Sequence, residues 1–151
     1  MVRGRAATIN RWSRIVLSAA VTVLLVGSFL PWVRTGDRRR NSYALMGLID
    51  RLEFAPGGLA ARAVGWWPIV PTLCVLTLIA AWWPRPRTAA VVGLIAALYA
   101  GGVAVAVNQA PIKPLAGTTL AADAGIVAAL AALVCLATSL KPTRRAGSSP
   151  A

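Results

Sequence analysis

Three consecutive arginines, Arg38, Arg39 and Arg40, followed by Asn41 and Ser42, are the densest polar constellation in the sequence. Guanidinium groups grip phosphate and carboxylate through paired N–H donors. Asn41 or Ser42 is placed to cap a helix. A helix N-terminus carries unpaired N–H groups and a partial positive charge. Three cations at such an end are unfavourable unless an anion joins them, which makes residues 38–42 a candidate site for an anion or a lipid head group. The competing reading is a solvated loop, or pairing of the arginines with Asp37 and a neighbouring subunit's acids. Exposed pairs of that kind contribute only about 0–1 kcal/mol.

The remaining reactive groups are few. The chain has no histidine and only four acids, Asp37, Asp50, Glu53 and Asp123. Any general base would have to come from these acids, a lysine, a tyrosine or a cysteine. Asp50 and Glu53 are the one carboxylate pair at helical spacing, and Arg51 or water satisfies them. Cys74 and Cys135 both lie within apolar runs, with no Cys-x-x-Cys spacing, and read as small buried hydrophobes. No metal-ligand cluster, phosphate-binding glycine loop or nucleophile elbow is present in the sequence. The expectation is a non-enzymatic protein without metal or cofactor.

The elements that must carry these residues are apolar. Of 151 residues, 58% are hydrophobic and 13% charged, too apolar for a soluble domain of this size. The net charge of +12 invites a nucleic-acid reading, but its charges sit in the gaps between long uncharged runs. That pattern points to a membrane protein with acidic lipid head groups as its default partner, and not to nucleic acid. The runs cover residues 15–33, 65–83, 88–107 and 120–140, each close to the ~20 residues that cross a bilayer core. Backbone groups in lipid must bond internally, so each run is expected to be a helix. The fold expected is an all-α four-helix transmembrane bundle. Residues 1–14 form a basic N-terminus, 15–140 one membrane domain, and 141–151 a disordered basic tail. The first span is read as a retained anchor, since no clear Ala-x-Ala site follows it.

Trp12, Trp32, Trp66, Trp67, Trp82 and Trp83 all fall at span ends, where an aromatic belt is expected. Between the first two spans, Leu45, Leu48, Ile49 and Leu52 recur at helical spacing. They predict an amphipathic surface helix over about 42–54, stopped by Pro56, Gly57 and Gly58. Small residues recur every four positions at Ala89, Gly93, Ala97 and Gly101, and again at Ala121, Gly125 and Ala129. Such stripes let helices pack closely, within the bundle or against a partner helix. Residues 1–14, 84–88 and 141–151 carry nine positive charges in 30 residues, against seven in 43 for segments 34–64 and 108–119. The denser face is expected to be cytoplasmic, which places both termini inside the cell membrane.

Residues Phe29, Leu30, Pro31 and Trp32, followed by Gly36, Arg38, Arg40, Asn41, Ser42, Tyr43 and Leu45, resemble the first loop of uncharacterised four-span actinobacterial membrane proteins. The resemblance covers about residues 29–54 and the hydropathy pattern. It implies the four-span architecture and an actinobacterial membrane, and it brings no catalytic residues. The function expected is an accessory or scaffold subunit of an envelope or membrane complex, bound to another membrane protein or to itself. The rival expectation is a small transporter or lipid-handling protein using the outer loop 34–64. The spans hold no ionisable group of the kind ion and proton paths need.

Overall fold

The structure is a computed structural model that describes residues 2–35, 37–51, 65–83, 86–109 and 113–140. The tail 141–151, the end of the surface helix at 52–54 with its stop at 56–58, and link residues 84–85 lie outside the described residues. The chain is mostly helical: α1 (Val2–Phe29), α2 (Ser42–Arg51), α3 (Ile69–Trp82), α4 (Pro86–Ala96), a π-helical turn (Ala97–Gly101), α5 (Gly102–Gln109) and α6 (Ala116–Leu140). Three stretches are long and apolar enough to cross a membrane: Thr8–Phe29, Arg87–Gln109 and Ala116–Leu140, of 22, 23 and 25 residues. Helix α3 is equally apolar but shorter, at 14 residues.

The first span was expected to reach residue 33, but helix α1 stops at Phe29. Leu30 precedes Pro31, and a residue before proline is disfavoured in the α region. Proline also lacks the N–H needed to continue the ladder. The chain then departs from the all-α expectation. Strand β1 (Pro31–Thr35) pairs antiparallel with β2 (Arg38–Asn41), with Arg34 opposite Arg39, Val33 opposite Arg40 and an irregularity between Pro31 and Val33. Val33 also bridges Pro114 on the other side, and Leu115 N–H donates to Trp32 O at 2.9 Å. The segment expected as a solvated loop is therefore a ribbon tied to the start of α6.

The helices close a ring. Helix α6 packs against α1 on one side and α4, the π turn and α5 on the other; α3 joins α1 to α4. Helix α1 supplies the large buried side chains, Leu17, Val21 and Leu24. Helices α4 and α6 supply mostly alanine and glycine, so their backbones meet. A Cβ on Gly101 would lie 2.9 Å from Gly125 Cα, and one on Gly125 would lie 2.6 Å from Gly101 Cα. Ala89, Ala97 and Gly93 are buried on the same stripe, whereas Ala129 is only half-buried. A four-residue step on an α-helix drifts by about 40°. The wider π turn between Ala97 and Gly101 takes up part of that drift and keeps both on the seam. Val16, Val26, Ile79, Ile95, Ile126 and Leu130 point outward instead.

Candidate functional site

The polar chemistry gathers at the end of the bundle where α1 finishes. Trp32 and Trp67 are both fully buried there, edge to face with ring centroids 5.4 Å apart. Tyr99, on the π turn, tilts against Trp67 at 5.8 Å. A buried indole N–H needs an acceptor. Trp32 Nε1 donates to Gly27 O at 2.8 Å, taking one of the carbonyls that the end of α1 leaves without a partner. Trp67 Nε1 donates to Ser42 Oγ at 3.0 Å, and Ser42 Oγ donates to Ser28 O. Thr118 Oγ1, at the start of α6, donates to Trp32 O at 2.8 Å. Gly117 is required beside it, since a Cβ there would sit 2.6 Å from Pro31 O. The hairpin, α2, the turn before α3 and the start of α6 thus form one cap built around two tryptophans.

These positions correct the aromatic belt at Trp32 and Trp67, which are interior. Trp12, Trp66, Trp82 and Trp83 are exposed. The indoles at 32 and 67 were drawn inward by acceptors that only the folded cap brings near. Ser42 is also corrected as a head-group ligand, because it is fully buried and both its bonds are internal. Asn41 caps its own helix, its Oδ1 accepting from Ala44 N–H at 2.9 Å. Neither side chain is directed at an anion.

The arginines are arranged by the ribbon and not by a helix end. Arg38 and Arg39 are exposed and Arg40 is half-buried beside Val33. Residues paired across an antiparallel ribbon share a face, so Arg34 and Arg39 stand side by side. Like charges opposite each other are destabilising. Arg34 pairs with Asp37 at 3.7 Å, with both side chains well exposed. Lys113 is exposed next to the Val33–Pro114 bridge. Arg40 Nε is enclosed without a hydrogen-bond partner among the described residues. Helix α2 lays Leu45 and Met46 into the core, with Leu48 and Ile49 half-buried. Tyr43 stacks on Phe29 at 5.1 Å, and burial pushes its phenol above its ordinary pKa.

The opposite end is simpler. Arg14 Nη2 donates to the carbonyls of Ala81 and Trp83, which close α3. Arg87 Nη2 donates to Ser139 O at 2.8 Å, near the end of α6. Both cations thus sit at helix C-termini, where the dipole favours them. Cys74 and Cys135 are free and buried. Among the described residues, no group of His, Cys, Asp and Glu is arranged to hold a metal ion. No protein-family model, curated protein or solved structure matches the chain.

Proposed function

We propose that the chain is a four-span protein of the cell membrane, with both termini cytoplasmic, acting as a non-enzymatic accessory or scaffold subunit of a membrane complex. Helix α3 is the fourth span. It is preceded by a turn in which Ile69 N–H donates to Trp66 O and Val70 N–H to Trp67 O. From Trp66 to Trp83 the chain advances about 26 Å at ~1.5 Å per residue, near the ~30 Å core.

The observation that carries the scaffold reading is the cap. Hydrogen bonds and two buried tryptophans hold a ribbon with Arg34, Arg38 and Arg39 exposed on one end of an otherwise apolar bundle. A rigid charged platform on a membrane anchor suits docking of an acidic partner. The interior supports the same reading. Its buried polar side chains are Ser13, Ser28, Ser42, Thr77 and Thr118, and no ionisable residue is among the buried ones described. Purification in mild detergent, with the bound proteins identified by mass spectrometry, tests it. The full chain should bring a stoichiometric partner that is lost when Arg38, Arg39 and Arg40 are all changed to Gln, more readily at high salt. A chain that purifies alone and moves a solute in vesicles would establish the transporter reading instead.

A further inference from the structure

At the end of the bundle away from the cap, a cleft of about 410 Å³ opens between α1 and α3. Its walls are Asn10, Arg11, Arg14, Ile15 and Ser18 from α1, and Ala81 and Trp82 from α3. Residues 11, 14, 15 and 18 follow at i, i+3, i+4 and i+7, so they line one face of α1. The cleft has two levels. The two arginines and Asn10 stand toward the start of the helix, while Ile15, Ser18 and Ala81 lie about one turn deeper, roughly 5 Å. Trp82 is 80% exposed beside it.

Arg14 is held in place by the α3 carbonyls through Nη2 alone, which leaves its other guanidinium N–H groups to serve the cleft. Asn10 Oδ1 accepts from Cys135 Sγ at 3.5 Å, so its amide N–H groups remain. Arg11 is exposed, and no carboxylate among the described residues pairs with either arginine. The exposed acids described, Asp37 and Asp123, belong to the ribbon turn and to the part of α6 near the cap. Two cations three residues apart on a helix repel each other. An anion between them removes that cost, and an anion carrying an apolar chain also fills the level below.

We propose that this cleft binds one anionic phospholipid, its phosphodiester on Arg11 and Arg14 and an acyl chain along Ile15, Ser18 and Trp82. The site rests on the membrane-spanning reading, in which it lies at the cytoplasmic head-group level. Such pockets between spanning helices suit phosphate head groups.

The test is native mass spectrometry of the full chain in mild detergent, titrated with phosphatidylglycerol and separately with phosphatidylcholine. Phosphatidylglycerol should bind at least about fivefold more tightly, and Arg11→Gln should weaken it about fivefold. Ser18→Trp fills the lower level while leaving both charges, and should weaken binding as much. Changing Arg34 and Arg39 to Gln at the far end should leave it unchanged. Equal affinity for the two lipids, or an equal loss in the far-end variant, overturns the site. Displacement by millimolar inorganic phosphate also overturns it, assigning the arginines to a free anion. A protein that does not span a membrane would retain neither lipid, which separates that failure from this one.

Discussion

Gly101 and Gly102 are adjacent, both glycine and both in the helical chain that continues α4, yet the same substitution should have opposite consequences. Gly102 has helical angles, φ −60° and ψ −44°, and an added Cβ would meet nothing within 4 Å. Gly102→Ala should therefore stabilise by about 0.5–1 kcal/mol through reduced backbone entropy. Gly101→Ala has the same entropic gain, but its Cβ lies 2.9 Å from Gly125 Cα and 3.5 Å from Gly125 C. Carbon atoms at their optimum stand about 3.5–4.0 Å apart, and both clashing atoms are backbone, so no side chain can swing aside. Helix α6 must retreat by several tenths of an ångström along the seam. Overpacking of that kind costs about 1–3 kcal/mol, so the two variants should differ by about that amount, with Gly101→Ala the weaker. Unfolding in mixed micelles, followed by the fluorescence of Trp32 and Trp67 as they leave the core, measures the difference. Equal stability of the two variants would refute the seam.

Trp32→Ala should cost about 3–5 kcal/mol and expose the ribbon arginines to trypsin, read as cleavage after Arg38–Arg40 in limited proteolysis. Arg40→Met should be neutral or slightly stabilising in the same micelle unfolding, because it removes an enclosed Nε without a partner and keeps the bulk of the side chain; a loss above about 1 kcal/mol would show that the guanidinium is bonded. Arg87→Ala should cost about 0.3–1 kcal/mol by removing the cation from Ser139 O at the end of α6, a small shift in thermal melting that Arg87→Lys largely restores.

The long apolar helices were legible because an uncharged run of about 20 residues leaves few alternatives, and α1, α4 to α5 and α6 coincide with the runs at 15–33, 88–107 and 120–140 to within several residues at each end. The close approach of Gly101 and Gly125 was legible in the four-residue period. The ribbon was not. Arg38, Arg39, Arg40 and Asn41 have neither alternation nor high strand propensity, and they extend only because β1 lies beside them, itself set by Pro31. Trp32 and Trp67 were misplaced because position at a span end is local information. Their burial depends on Gly27 O and Ser42 Oγ, the latter 25 residues from its indole. Nothing in Ala97, Leu98, Tyr99, Ala100 and Gly101 announces a π turn. The basic cleft was hidden for the same reason as the cap: Ala81 and Trp82 reach Arg14 across 67 residues of chain.

The central claim is that α3 crosses the membrane although it is the shortest of the four apolar helices. Fusion of a reporter active only outside the cytoplasm, placed in turn after Asp37, Arg85, Lys113 and Ala151, tests it directly. Four spans with an internal N-terminus predict activity at Asp37 and Lys113 and silence at Arg85 and Ala151. If α3 does not cross, activity appears at Asp37, Arg85 and Ala151 and is lost at Lys113. An active Arg85 fusion would contradict the account.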